Sequence, residues 1–233
     1  MVIVDELTAF RSAALAWAAG GTEASGAETT ARALAARIPV RAAVLVEGVS
    51  DQIAVETLAA RRGLNLAARG IVILPLGGAT SVGRFLDLVG PPGLNLELAG
   101  MCDVGEERHF QRGLERVGLG DALTRPGMEK LGFFACDTDL EDELIRCLGI
   151  AAVERVIQEQ GDLRSLRSLQ RQPAQRSWTV DQHLRRFMGS IGGRKARYAR
   201  ALVGVLGDAP APRPLELLVG HLGRSGDGRN SGD

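Results

Sequence analysis

The sequence predicts an α/β fold, with a mostly parallel four-stranded sheet flanked by helices and with helical extensions at the N- and C-terminal sides. Two observations support this class. Four short apolar runs alternate with segments of helical periodicity between residues 40 and 160, and turn-forming residues separate many of them. Strands that are joined by helices form parallel sheets covered on both faces, which explains why the runs are apolar throughout.

The N-terminal extension, residues 1–38, predicts two helices over 4–19 and 27–37. Alanine is abundant there, and apolar side chains such as Leu7, Phe10 and Trp17 recur at helical spacing. Gly20 and Gly21 separate the two segments. We expect both helices to pack on the main domain.

The core, residues 39–150, carries the alternating pattern. Its predicted strands are 40–46, 71–76, 96–102 and 132–136, and its predicted helices are 50–62, 81–89, 106–117 and a long one over 142–160. Ser50 is the expected N-cap of the first of these helices, since serine readily accepts a hydrogen bond from the open first turn.

Two further segments follow the core. Residues 151–206 form a basic helical extension that completes the domain and ends in a helix over 194–206. Residues 207–233 form a Pro/Gly-rich tail with a short apolar segment at 215–222, and disorder is expected from Gly223 onward.

The composition of the chain limits the classes of protein to which it can belong. The chain has 233 residues, 45% of them apolar, and a formal net charge of zero. No apolar run approaches the roughly 20 residues of a membrane span, and the first residues lack the basic start of a signal peptide. We therefore expect a cytoplasmic protein without a membrane partner, in which Cys102 and Cys136 are buried, reduced thiols.

The positive charge is concentrated in one segment. The basic arm, defined here as residues 161–200, holds ten basic residues against only Asp162 and Asp181. They are Arg164, Arg167, Arg171, Arg176, Arg185, Arg186, Arg194, Lys195, Arg197 and Arg200. Such an arm beside an acidic core predicts contact with a phosphate backbone.

Acidic residues follow two of the predicted strands. Glu47 ends the first strand at a glycine turn, and Asp103 ends the third. The carboxyl ends of parallel strands share one edge of a sheet, where ligands bind. Hard divalent cations prefer oxygen ligands, so this edge predicts a metal site. Glu47 is the strongest candidate, because an unpaired carboxylate at the end of a buried run would be costly.

Further acids could complete the site. Asp51 and Glu106 lie in predicted first helical turns, and Asp139 and Glu141 belong to an acidic cluster after the fourth strand. Acids in a first turn also complement the helix dipole, so both interpretations stay open. Gly77-Gly78 lacks the lysine and spacing of a P-loop, and we expect it to allow close backbone packing.

Lysine is rare in this chain. Of 28 basic residues only Lys130 and Lys195 are lysines, and Lys195 lies inside the basic arm. A compact ammonium can donate to a phosphate or a leaving oxygen in a way that a guanidinium fork does not. Lys195 is therefore a candidate catalytic residue, with chance placement as the alternative.

At these residues the chain resembles the Toprim domain, in which a glutamate follows the first strand and Asp-x-Asp follows the third. The matching segments are Val46-Glu47-Gly48 and Asp103-Val104-Gly105. Together with Leu140-Glu141-Asp142 and Arg194-Lys195-Ala196, they are most similar to the Toprim half of OLD-family ATP-dependent endonucleases. Gly105 departs from the pattern, since it replaces the second aspartate.

The resemblance implies a set of roles. Glu47 would be a metal ligand and general base, Asp103 a shared metal ligand, and Lys195 the group that stabilises the transition state. The remaining implied ligands are Asp51, Glu106, Asp139 and Glu141. The implied cofactor is Mg²⁺, with Mn²⁺ as a substitute, and the implied partner is DNA. No Walker motif occurs in the chain, so the ATPase of OLD proteins would act in trans.

Three functional hypotheses follow. The first is a metal-dependent nuclease that cleaves DNA phosphodiesters. The second is a Toprim nucleotidyl transferase or an RNA nuclease, which would use the same carboxylates. The third is a catalytically weak module that binds nucleic acid or a partner ATPase, which the loss at Gly105 favours. An oligomer is compatible with all three.

Overall fold

A computed structural model describes residues 2–175, 177–189, 191, 193–207 and 209–224. Four parallel strands form one sheet in the order β2-β1-β3-β4. The strands are β1 (Ala42–Val46), β2 (Ile71–Pro75), β3 (Glu97–Cys102) and β4 (Phe133–Ala135). The predicted fold class is confirmed.

Helices flank the sheet. They are α1 (Val2–Ala19), α2 (Ala24–Arg37), α3 (Val49–Arg61), α4 (Val82–Val89), α5 (Glu107–Arg116), α6 (Arg125–Lys130), α7 (Leu140–Leu148), α8 (Ile150–Glu159), α9 (Leu163–Gln170), α10 (Val180–Gly189), α11 (Arg194–Gly204) and α12 (Arg213–Arg224). Single 3-10 turns lie at Ala79–Ser81, Val104–Glu106 and Pro173–Gln175. None of the helices among the described residues has the length and apolar character needed to cross a membrane.

Two apolar clusters cover the two faces of the sheet. Along β1, Ala42, Val44 and Val46 belong to one cluster, whereas Ala43 and Leu45 belong to the other. This alternation is the two-residue period of a strand. The first cluster also contains residues of α3 and α7 to α12, and the second contains residues of α1, α2 and α4 to α6. As expected, the N-terminal helices therefore pack on the main domain.

The pairing of residues between neighbouring strands aligns the carboxyl ends of the strands at one edge of the sheet. Val46 lies opposite Pro75 on one side and Met101 on the other, and Cys102 lies opposite Ala135. The two central strands, β1 and β3, are therefore in register next to each other. The acids that follow them emerge at the same edge of the sheet.

Two predicted features need correction, and one helix was not predicted. The long helix over 142–160 is two helices, because Gly149 takes a φ of 76° that breaks the helix between α7 and α8. The N-cap of α3 is Gly48 and not Ser50. Helix α6 has no counterpart in the sequence prediction.

The predicted tail is also partly folded. Within α12, Leu215, Leu218 and Leu222 are fully or almost fully buried in the same cluster as β1. Residues 213–224 therefore form a helix that packs on the core, and the helix over 194–206 is not the last one. The predicted disorder from Gly223 onward is wrong for Gly223 and Arg224, which belong to α12. Residues 225–233 lie outside the described residues, as does Arg176 of the basic arm.

The thiols agree with the prediction for a reduced interior. Cys102 and Cys136 are free and buried, and Cys147 is free and exposed. Burial raises the pKa of both buried thiols far above the usual range, so they stay protonated and unreactive.

Candidate functional site

Glu47 connects the ends of the two central strands. It follows β1, and its Oε1 accepts the backbone N–H of Asp103, which follows β3, at 2.5 Å. Burial raises the pKa of Glu47, the hydrogen bond from Asp103 lowers it, and the charge of Glu106 raises it again, with a net upward shift. The carboxylate predicted from sequence therefore lies at the carboxyl edge of the sheet, fixed by a neighbouring strand.

Asp51 lies in the first turn of α3. Its Oδ2 accepts the backbone N–H of Gly48 at 2.8 Å, so it also caps the start of the helix, which the sequence analysis did not predict. Burial, followed by the negative charge of Glu141, raises its pKa to about 7. Capping and a role at the site are thus compatible for this residue.

Asp103 lies near several other acids whose negative charges raise its pKa. Burial raises its pKa to about 8, and the charges of Glu47 and Asp51 add to the shift. Asp103 therefore lies close enough to Glu47 and Asp51 for their charges to interact.

Glu141 and Lys195 form an ion pair across two helices. Glu141 lies in the first turn of α7 and is only 7% exposed, and its Oε2 accepts from Nζ of Lys195 on α11 at 2.9 Å. Burial lowers the pKa of Lys195, but the charge and hydrogen bond of Glu141 and the charge of Asp139 outweigh that effect and raise it overall. The lysine is therefore firmly protonated.

These side chains line one cavity of about 540 Å³ at the carboxyl edge of the sheet. Its lining residues are Glu47, Gly48, Val49, Ser50, Asp51, Gly78, Asp103, Leu140, Glu141, Gly193, Lys195 and Ala196. We call it the acidic cavity. It brings together five of the seven residues that the sequence nominated.

The glycine pair after β2 also borders this cavity. Gly77 and Gly78 have φ values of 70° and 128°, which side chains rarely adopt. The N–H of Gly78 donates to the backbone oxygen of Glu47 at 3.3 Å. Glycine is therefore favoured at both positions by the backbone conformation, and not by close packing as predicted, since a Cβ at either position would meet no atom within 4 Å.

Asp139 lies just outside the acidic cavity. Its Oδ1 caps α7 by accepting the N–H of Asp142 at 2.8 Å, and its Oδ2 forms an ion pair with Arg185 of α10. It lines a neighbouring cavity of about 470 Å³ that shares Glu141 and Lys195 with the first. The Asp139–Arg185 pair was not predicted, because the two residues are 46 positions apart along the chain.

Glu106 is not brought into either cavity. Its carboxylate lies 3.6 Å from Nε2 of His109, and its negative charge is one of the causes that raise the pKa of Glu47. The neighbouring acid Glu107 pairs with Arg125 at 2.9 Å. The role of Glu106 as a ligand stays a prediction.

Comparison with known proteins identifies the fold around this site. Residues 40–104 match the family model of the Toprim domain of proteins like the overcoming lysogenization defect protein, OLD. The chain contains an OLD-like Toprim domain. The matched segment runs from before β1 to just past Asp103, and so includes Glu47 and Asp51.

Solved structures agree. The chain is similar to the C-terminal region of the Xanthomonas campestris pv. campestris OLD protein, with a TM-score of 0.64 and 24% identity over 79% of this chain and 93% of that one. It is also similar to the C-terminal region of the Burkholderia pseudomallei OLD protein, with a TM-score of 0.64 and 21% identity over 80% and 98%. None of the curated proteins matches the chain. These likenesses extend the shared fold beyond the matched segment to about four fifths of the chain.

The donor set of the Toprim domain suits a hard cation. The acidic cavity offers carboxylate oxygens, and the pKa values of Glu47, Asp51 and Asp103 are all raised, so a cation would relieve their repulsion. Within the described ranges, no three acid, histidine or cysteine side chains are already spaced to hold an ion. Mg²⁺ is commonly held by one or two carboxylates with water and substrate, and this open arrangement fits that mode.

Proposed function

We propose that this Toprim domain is a metal-dependent nuclease that cleaves phosphodiester bonds of DNA, with Mg²⁺ as the ion and Mn²⁺ as a substitute. One observation carries the proposal. Glu47, Asp51 and Asp103 face the ion-paired Lys195 across one cavity at the carboxyl edge of a Toprim sheet.

The acids divide into two groups in this proposal. Glu47, Asp103 and Asp51 would hold the ion, because their carboxylates line the same cavity, where burial and the negative charge of neighbouring acids raise their pKa values. When bound, the ion supplies polarisation of the phosphate and neutralisation of its developing charge. Glu141 and Asp139 would stay with Lys195 and Arg185, which already balance them.

Lys195 would stabilise the transition state. Its ammonium is protonated, half exposed and oriented by the buried carboxylate of Glu141, so it can donate a second hydrogen bond to a phosphate oxygen in the cavity. Fixed donors that meet developing charge are among the largest contributions to catalysis. Glu47 would also accept a proton from the attacking water, because its carboxylate lines the same cavity as Lys195.

A second candidate is a module that binds nucleic acid or a partner ATPase without cutting it. The observation that favours it is the pairing of Glu141 with Lys195 and of Asp139 with Arg185, which leaves fewer acids for an ion. A nucleotidyl transferase or an RNA nuclease would use the same carboxylates. An ATPase acting in trans, an oligomer and a cytoplasmic location stay predictions.

The test is cleavage of supercoiled plasmid DNA in Mg²⁺ or Mn²⁺ by the wild type, Glu47→Gln and Glu23→Gln. Glu23 is an exposed acid at the start of α2 and serves as the matched control. We expect nicking by the wild type and by Glu23→Gln, abolition by EDTA, and a loss of at least about 100-fold in Glu47→Gln. Undiminished cleavage by Glu47→Gln would exclude the assigned site, and no cleavage by any variant would favour the binding module.

A further inference from the structure

The cavity next to the acidic cavity has a different character. Helix α10 lines it with Gln182, Arg185, Arg186 and Gly189, which recur at helical spacing on one side of the helix. Trp178, which precedes that helix, completes this wall. Glu141 and Lys195 are common to both cavities, so this second cavity opens directly beside the proposed cleavage site.

Trp178 is an exposed aromatic side chain held in place. It is 36% exposed, and it is the only aromatic residue among the described large apolar side chains that are exposed. Its backbone N–H donates to the oxygen of Gln175 at 3.0 Å, and its ring lies 5.9 Å from that of His183. His183 is itself buried, with Nε2 3.0 Å from the same oxygen of Gln175. The indole is therefore backed by a fixed side chain while one part of it faces solvent.

The arginines of this wall are available to an anion. Arg186 is exposed and makes no ion pair with any described residue. Arg185 pairs with Asp139 through Nη2, while its buried Nε lacks a hydrogen-bond acceptor within the described part of the chain. A buried donor without an acceptor is unfavourable, and a ligand oxygen would satisfy it.

We propose that this second cavity binds a single-stranded nucleotide next to the scissile phosphate, with its base stacked on Trp178 and its phosphate at Arg186. The inference rests on the proposed function, because it places the substrate strand across both cavities with Lys195 between them. Aromatic platforms flanked by basic side chains are typical of single-strand binding, since every base has a face that can stack. A paired base inside a duplex cannot reach the indole. The domain should therefore prefer single strands, frayed ends or gaps over intact duplex.

Fluorescence tests this directly, because the chain has only two tryptophans, Trp17 and Trp178. The Trp17→Phe variant leaves Trp178 as the sole emitter. Titration with short oligo(dT) or oligo(U) in EDTA, where cleavage cannot occur, should quench its emission. The relative affinities of the two oligomers then show whether DNA or RNA is the preferred source of the strand.

Affinity measurements with labelled oligo(dT) supply the second part of the test. Stacking accounts for about 1–3 kcal/mol per base, so Trp178→Ala should weaken single-strand binding by about 5- to 100-fold. Trp178→Phe should retain affinity within about 3-fold, because phenylalanine also offers a stacking face. Binding of a blunt duplex should change less than about 2-fold in either variant, since its bases stay paired.

The proposal is overturned if Trp178→Ala binds single strands as the wild type does, if it loses duplex affinity equally, or if Trp178 emission does not respond to either oligomer. The plasmid assay separates this result from the proposed function. If the wild type cleaves the plasmid and Trp178→Ala binds single strands normally, only the proposed stacking on Trp178 is wrong. Binding that depends on Trp178 without any cleavage supports the stacking site and removes only the nuclease.

Discussion

Nζ of Lys195 donates to Oε2 of Glu141 at 2.9 Å, and this ion pair joins the first turn of α11 to the first turn of α7. The carboxylate is buried, whereas half of the lysine side chain is exposed. The pair therefore holds a partly exposed ammonium on the wall of the acidic cavity, which the carboxylates that follow β1 and β3 also line.

Replacing the lysine should damage both catalysis and folding. Lys195→Met removes the donor for the phosphate and leaves Glu141 buried without its partner. We expect cleavage to fall by about 100- to 1,000-fold. We also expect stability to fall by about 1–2 kcal/mol, less than for a fully buried pair because the lysine is half solvated. Plasmid nicking and urea denaturation measure the two effects.

The control for this prediction is the double variant Lys195→Met/Glu141→Gln. Glutamine removes the unpaired charge, so stability should recover while cleavage stays low. If the double variant were no more stable than Lys195→Met, the ion pair would not be what the substitution disrupts.

Without metal, the Asp103→Asn variant should be more stable than the wild type, and the difference should increase as the pH rises. Burial and nearby acids raise the pKa of Asp103 from 3.8 to about 8. Between those values the folded protein keeps a proton that the unfolded chain has lost, so the stability of the wild type declines as pH increases. The asparagine variant lacks this titration. At pH 8 it should be more stable by about 1–2 kcal/mol, a gain limited by partial solvation.

Urea denaturation in EDTA at pH 5, 6, 7 and 8 measures that difference. The advantage of Asp103→Asn should be small at pH 5 and grow toward pH 8. Added Mg²⁺ should raise the melting temperature of the wild type and not that of the variant. If the free energy of unfolding changed equally with pH in the two proteins, the inferred repulsion between acids at this edge of the sheet would be contradicted.

Gly105→Asp should add a ligand to the site. A Cβ at Gly105 would meet no atom within 4 Å, and its φ is not in the left-handed region, so the substitution fits the fold. It restores the second carboxylate of the Toprim pattern. We expect Mn²⁺ affinity to increase by about 3- to 10-fold, because affinity rises with the number of charged ligands.

Gly26→Asp is the matched control, since Gly26 is exposed on α2 and its Cβ would also meet open space. Calorimetric titration with Mn²⁺ compares the two. An equal change in both variants would mean that only the added negative charge matters.

Gly149→Ala should test the break between α7 and α8. Gly149 has a φ of 76° and an open space around its Cβ position, so the cost is backbone strain alone, about 1–2 kcal/mol. Gly26→Ala, within a helix of ordinary φ, should instead leave stability unchanged or increase it by up to about 1 kcal/mol. Thermal denaturation distinguishes the two, and equal stability of both variants would contradict the strained break.

The sequence predicts the sheet and its acidic edge well, for a physical reason. Apolar runs identify strands that are buried on both faces, and parallel strands deliver the residues after them to one edge. The proximity of Glu47 to Asp103 follows from that geometry. Lys195 was found because lysine is otherwise almost absent from the chain.

The missed features depend on tertiary structure or on glycine. Glycine occurs inside helices as well as between them, so the sequence around Gly149 does not show whether one helix continues or two helices meet there. The pairing of Asp139 with Arg185 depends on how α10 packs against α7. Glu106 lies in a first turn as predicted, but the 3-10 turn after β3 leaves it beside His109 rather than in the cavity.

We propose that the carboxylates around Glu47 hold a divalent cation. Electron paramagnetic resonance of Mn²⁺ titrated into the purified wild type, Glu47→Gln and Glu23→Gln tests it without relying on cleavage. We predict saturable binding of one or two ions to the wild type and to Glu23→Gln, with affinity at least about 10-fold weaker in Glu47→Gln. Wild-type Mn²⁺ affinity in Glu47→Gln would contradict the account.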